Sequence, residues 1–207
     1  MRSPGDVLYN FHWVVPGELA RSAHPYAGFF GVFLRRRNIR AVVNLRGRNP
    51  RFWWWRYETR VCEGLGIAHF DIAINSRNLP DRAMFCALFA AFDAAPAPVL
   101  VKCSGGQDRT SLAAALYLLQ REGWGAMDKA LAQFAGWPYL HLPKPQQRWM
   151  KAFLVYAAER ANGVPIAEWI AQRYDWEDFR VWLAARGLAA SYRYTPADLS
   201  LILARKS

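Results

Sequence analysis

Residues Cys103 to Arg109 read Cys-Ser-Gly-Gly-Gln-Asp-Arg, behind the apolar run Val99-Leu100-Val101 and ahead of Thr110, Ser111 and an alanine- and leucine-rich stretch. A thiol is thereby set in a glycine turn between a strand and a helix. The first N–H groups of a helix lack intrahelical partners and form the positive end of its dipole, so the same place binds phosphate and favours a thiolate. Gly105 and Gly106 let the backbone curl until successive N–H groups point at one anion, and Arg109 can close the ring with a two-pronged guanidinium contact. Ser104 and Gln107 fill the remaining loop positions around that anion. The segment describes a phosphate cradle with a nucleophile at its floor.

Cys-x5-Arg followed by a hydroxyl residue, between a buried strand and a helix, resembles the signature loop of the cysteine-dependent protein tyrosine and dual-specificity phosphatases. Neither other cysteine has that spacing, since Cys62 is followed six residues on by Ala68 and Cys86 by Phe92. The resemblance implies that Cys103 attacks phosphorus, that Arg109 holds the equatorial oxygens, and that the Thr110 hydroxyl bonds the thiolate and eases its departure from phosphocysteine. With Asp108 directly before Arg109, the loop is also similar to that of the myotubularin lipid phosphatases. Leu19 to Pro25, which contains Arg21-Ser22-Ala23-His24-Pro25, is similar to the opening of bacterial dual-specificity phosphatases, and Val43-Asn44-Leu45-Arg46 resembles their strand before a substrate-facing loop. The likeness spans roughly residues 8–160. Arg21 then either orients an edge of the site or pairs at the surface.

Two residues depart from the family pattern. Lys102 stands where a histidine commonly precedes the cysteine, and as a strand neighbour it points to the opposite face. The family's general acid comes from the loop after the preceding strand, but here that loop reads Asn75-Ser76-Arg77-Asn78, with Ser76 near the acid's position. Expelling an alkoxide without a proton would forfeit roughly 10²- to 10⁴-fold in rate. Asp108, in the loop itself, is the first candidate for the acid, Asp71 the second and Asp81 the third. Arg46 and Arg77, at strand ends where open α/β sheets gather their ligands, are expected to bind substrate.

The surrounding sequence supplies elements that would position this loop. Phe11 to Val15 and Glu18 to Ser22 read as two short strands joined by Pro16-Gly17, residues 26–37 as a helix, and Arg40 to Leu45 as a β-branched strand. Arg51 to Leu65 has helical spacing with Trp54, Tyr57, Val61 and Leu65 on one face. Ile67 to Ile74 follows as a strand, Pro80 to Ala94 as a helix, Ala97 to Lys102 as the strand entering the loop and Thr110 to Gly123 as the helix leaving it. Such alternation predicts an α/β fold with a central, mostly parallel sheet flanked by helices, of the dual-specificity-phosphatase type. From about 125 to 205 only helices are expected, broken at Trp137-Pro138, Pro143 to Pro145, Gly163 to Pro165 and near Gly187. The whole chain, 1–207, reads as one domain, with a core over about 8–160 and a helical C-terminal extension over about 160–207.

The 207 residues are 53% hydrophobic and 15% aromatic, which suits a well-buried core rather than extensive disorder. Three cysteines at no framework spacing predict reduced thiols, and with no apolar leader or spanning run the expected location is cytoplasmic. His12, His24, His69 and His141 are scattered, so no metal and no cofactor is expected. His141 reads as a satisfied core or surface histidine. A net charge of +11 needs anionic partners. The Phe52-Trp53-Trp54-Trp55-Arg56 run has the aromatic and basic interleaving of single-strand binders, yet its helical spacing assigns most rings to the core and argues against nucleic acid. The predicted activity is two-step phosphomonoester hydrolysis. Phosphorylated protein is the leading substrate class; a phosphoinositide or inositol phosphate is the rival, favoured by Asp108, Arg46, Arg48, Arg51 and Arg77, and weak contact with an anionic membrane surface is a further expectation. A phospho-binding pseudophosphatase is the third reading, should no acid reach the pocket.

Overall fold

The computed structural model describes residues 3–24 and 28–188. Strands β1 (His12–Val15) and β2 (Leu19–Ser22) form an antiparallel hairpin, and β2 continues into a parallel array with β3 (Ala41–Asn44), β4 (Ala68–Asp71) and β5 (Val99–Lys102). The order across the sheet is β1-β2-β5-β3-β4, as expected for a mostly parallel α/β sheet. Register places Ser22, Lys102, Asn44 and Asp71 in one row at the carboxyl ends of the parallel strands. The loops that follow therefore share one edge of the sheet.

Alternation along the strands divides the side chains between two cores. Leu19, Ala41, Val43, Val99 and Val101 face α4 (Arg82–Ala94), α5 (Asp108–Glu122), α6 (Met127–Ala132), α7 (Trp149–Ala161), α8 (Ile166–Arg173) and α9 (Trp176–Ala185). Ala20, Val42 and Leu100 belong to a smaller core under α2 (Phe30–Arg36) and α3 (Trp53–Gly64). Cys103 continues the face of Val99 and Val101, whereas Lys102 continues that of Leu100. Helix α5 is buried on all sides from Thr110 through Leu119, because it lies between the sheet and the outer helices.

Several details differ from the sequence expectation. The buried residues of α3 are Trp54, Glu58 and Cys62, while Tyr57, Val61 and Leu65 are only half-buried. Apolar periodicity misplaced that face because a paired charge, Glu58, occupies its centre. A short α1 (Pro4–Leu8), which sequence reading did not anticipate, is closed by Ser3 and Asp6 in a capping box. In the expected 26–37 helix, the described part runs Phe30–Arg36, and residues 25–27 lie outside the described residues. The C-terminal helices pack into the larger core: Tyr174 donates its hydroxyl to the Pro80 carbonyl at 2.8 Å, and Phe153 stacks on Phe85 with ring centres 4.5 Å apart. The part of the expected extension from 189 to 207 lies outside the described residues. Among the described residues no helix is long and apolar enough to cross a membrane.

Candidate active site

Strand β5 ends at Lys102 and α5 begins at Asp108, so the loop between them hangs from two buried elements. Cys103 is only 3% exposed at its floor. Gly106 has φ +65°, and a Cβ built there would lie 2.4 Å from the Ala23 nitrogen and 2.6 Å from the Ser22 carbonyl carbon. Only glycine fits where the loop presses on the end of β2. His24 donates its backbone N–H to the Ser104 carbonyl at 3.1 Å, and Asn10 Nδ2 donates to the carbonyls of Gly106 at 3.1 Å and Tyr139 at 3.0 Å.

Arg21, placed by β2 on the same face as Cys103, is fully buried beneath the loop. Its Nη2 donates to the Gly106 and Gln107 carbonyls (both 3.1 Å), to Thr110 Oγ1 (3.2 Å) and to Ser111 Oγ (2.8 Å), while Nη1 donates to the Gln133 carbonyl at 2.9 Å. The Tyr139 ring covers the guanidinium at 4.2 Å. Burial lowers its pKa to about 10, opposed by Tyr139, Cys103 and Asp108, so the group stays charged at neutral pH. Of the two roles open to Arg21 in the sequence, the structure shows the buried, loop-anchoring one. Arg109 folds back across the loop, donating from Nη2 to Ser104 Oγ at 3.1 Å and from Nη1 to the Leu45 carbonyl at 3.4 Å. The Thr110 hydroxyl, expected on the thiolate, instead accepts from Arg21 and donates to the Gln107 carbonyl at 3.2 Å.

The three candidate acids lie in different surroundings. Asp108 opens α5, and its Oδ2 accepts from Gln147 Nε2 at 2.9 Å; that same nitrogen reaches Ser76 Oγ at 3.4 Å. Asp108 thus stands beside the position that the family pattern assigns to its acid. The buried His141 lies on its other oxygen, with Nδ1 3.2 Å from Oδ1, an ion-pair distance although the ring is not aligned for a hydrogen bond. Asp71 faces α3, on the opposite side of the sheet from Cys103, and accepts from Asn44 Nδ2 at 2.6 Å and Trp55 Nε1 at 2.9 Å. Asp81 caps α4 through the Met84 N–H at 2.8 Å. Of these carboxylates the structure brings Asp108 to the loop. Arg77 is exposed beside Ser76, and Arg46 lies flat on Trp54, 3.5 Å from the ring centre.

Sequence reading missed the group behind the nucleophile. Lys102 pairs with Glu58, both with fully buried side chains; His24 Nδ1 is 3.2 Å from Glu58 Oε2 and His69 Nε2 is 2.8 Å from Oε1. Burial by itself would raise the Glu58 pKa, but His24, His69 and Lys102 outweigh it and hold the carboxyl well below the usual range. Burial pulls both Lys102 and His24 down, with Glu58 opposing. The available signal was a lysine at the end of a strand that must be buried on both faces, which demands a carboxylate partner.

Comparison with known proteins agrees with this fold. Residues 8–137 match the family described as PTP-SAK, Swiss Army Knife protein, DSP-PTPase phosphatase domain. Among solved structures, TpbA of P. aeruginosa superposes with a TM-score of 0.53 at 20% identity, covering 89% of this chain and 94% of that one. Tk-PTP gives 0.55 at 16% identity, covering 72% of this chain and 96% of that one. The core catalytic domain of the S. cerevisiae PP-IP phosphatase Siw14, in complex with citrate, gives 0.50 at 18% identity, covering 75% and 94%. No curated protein matches by sequence. A family match over more than half the chain, on a sheet that presents a Cys-x5-Arg loop at its carboxyl edge, places this protein in the DSP-PTPase phosphatase family.

Proposed function

We propose that the chain hydrolyses phosphomonoesters through a phosphocysteine intermediate, with Cys103 as nucleophile and Asp108 as proton donor. The Cys103 thiolate forms a bond to phosphorus while the bond to the leaving oxygen breaks, and Asp108 gives its proton to that oxygen. Water then attacks phosphorus, Asp108 takes a proton back, and the thiolate leaves with release of phosphate. The loop N–H groups and Arg109 offset the equatorial charge in both steps. The observation that carries this reading is the Gln147 bridge from Asp108 to Ser76: one side-chain amide reaches both the carboxylate of the Cys103 loop and the residue near the expected acid position in the 75–78 loop, which has no acid of its own.

Phosphorylated protein is the substrate class the tyrosine and dual-specificity resemblance supports. A phosphoinositide is favoured by a separate observation, the acid-free segments 46–57 and 72–80 around the loop, which contain Arg46, Arg48, Arg51 and Arg77. Phosphate release from phosphopeptides, phosphoinositides and p-nitrophenyl phosphate tests both. Cys103→Ser is expected to abolish release from every substrate. Asp108→Asn is expected to cost roughly 10²- to 10⁴-fold on alkyl phosphates and little on p-nitrophenyl phosphate, whose leaving group needs no proton. Failure of the wild type to hydrolyse p-nitrophenyl phosphate would replace this reading with a phospho-binding pseudophosphatase.

A further inference from the structure

The segment from Gly136 to Arg148 runs along the rim of the loop, tied inward by the Tyr139 carbonyl on Asn10, by His141 at Asp108 and by Gln147 on Asp108. The same bends turn its other side chains outward. Trp137 is 80% and Leu142 81% exposed, with Leu140 exposed between them. A single exposed leucine means little, but a tryptophan and two leucines standing out within six residues form a cluster that folding has left unpacked. Lys144 and Arg148, both exposed, follow directly.

A second rim repeats this composition. The loop after β3 is tied to the site by Arg109 on the Leu45 carbonyl, and it carries exposed Arg48 and Arg51 followed by Phe52 and Trp53, which are 50% and 56% exposed. Arg77 is exposed on the third loop, next to Ser76. Apolar tips alternating with cations, without one carboxylate in the three segments, match the boundary of an anionic bilayer: rings and aliphatic tips enter the headgroup layer while Lys and Arg meet lipid phosphates. Trp137, Leu140 and Leu142 project from an irregular segment and Phe52 and Trp53 from the start of α3, as separate tips, which suits a planar surface better than a docked peptide.

We infer that the two rims are a membrane-docking surface, which sets the Cys103 loop against an anionic leaflet and makes its substrate a phosphate monoester presented at the bilayer. This rests on reading the loop as the active site. The test is co-sedimentation of the full chain with vesicles of phosphatidylcholine alone and of phosphatidylcholine with phosphatidylserine, at low and high salt. Wild type and Cys103→Ser are both expected to sediment with the anionic vesicles only, and less at high salt. The pairs Trp137→Ala/Leu142→Ala and Lys144→Gln/Arg148→Gln are each expected to bind about tenfold more weakly, with p-nitrophenyl phosphate turnover unchanged. Phe52→Ala/Trp53→Ala tests the other rim in the same way, and thermal melts check folding. Absent binding by wild type, equal binding to neutral vesicles, or undiminished binding by all three pairs would overturn the inference. So would a phosphopeptide KM that rises in these variants while wild type ignores vesicles, which would assign the surface to a protein. Anionic binding lost in the variants, by a wild type that hydrolyses nothing, would uphold the docking surface while removing the catalytic reading.

Discussion

Two buried cations stand behind the Cys103 to Arg109 loop, one on each face of the sheet, and they are satisfied in opposite ways. Lys102 has a carboxylate against it, Glu58, itself held by two histidines. Arg21 is solvated by carbonyls, hydroxyls and a tyrosine ring, and among the described residues no carboxylate bonds it. The charge of Lys102 is thus matched by a bonded carboxylate, whereas that of Arg21 is met by dipoles and a ring, and both cations interact electrostatically with Cys103. Lys102 is its covalent neighbour, but Arg21 is the one aimed at the loop.

Breaking the pair on the Lys102 side should have the largest effect. Glu58→Gln leaves a buried ammonium without its counterion and is expected to cost about 3–5 kcal/mol in denaturant unfolding, while Glu58→Leu with Lys102→Met should recover most of it. If the double variant is as unstable as the single one, the pair is not the unit described. On the other face, Arg21→Met removes the donor shared by loop carbonyls and hydroxyls, at about 3 kcal/mol. Turnover of p-nitrophenyl phosphate should fall with it. Arg21→Lys should recover stability only in part, since one ammonium cannot span the same acceptors.

Acid should separate the faces further. The His24 pKa lies below 6.5 in the folded protein, so the unfolded chain takes up the proton first; stability present above that pH is lost as the pH falls below it. Glu58, lowered from 4.5, adds a second loss below that value in the same direction. The unfolding free energy is expected to drop from neutral pH toward about 5, by up to about 1.4 kcal/mol per pH unit for one proton, and His24→Gln should flatten that slope. The smallest effect belongs to Gly105→Ala, where the added Cβ meets only the Gln107 side chain at 3.4 Å; stability should stay within about 0.5 kcal/mol. Gly106→Ala, one residue on, should displace the loop from β2 and lose turnover.

Local patterns made much of this readable in the sequence. The strand, the glycine turn and the helix start lie within a few residues of Cys103, and apolar runs of strand and helix length imply the alternating fold. What escaped depends on partners distant in the chain. Glu58 drew no notice on α3 because apolar periodicity passes over a buried charge, and its reason for being buried, Lys102, lies on another element. His141 passed for an ordinary core histidine because its 33-residue separation from Asp108 is closed only by the turn at Trp137 to Leu142. Arg21 was ambiguous for the same cause: a guanidinium in a strand shows its worth only when Gly106, Thr110 and Gln133 converge on it.

The Asn10 side chain has a consequence for the order of events in the cell. Its amide joins Gly106, 96 residues away, to Tyr139, 129 residues away. Contacts of such span form late in folding, after the entropy of closing long loops has been overcome. During synthesis the Cys-x5-Arg segment emerges well before the 139–147 stretch that supports Asp108. A partly made chain carries the thiol and the arginine but not the packing that holds their loop, so the arrangement around Cys103 is complete only when most of the domain has been made.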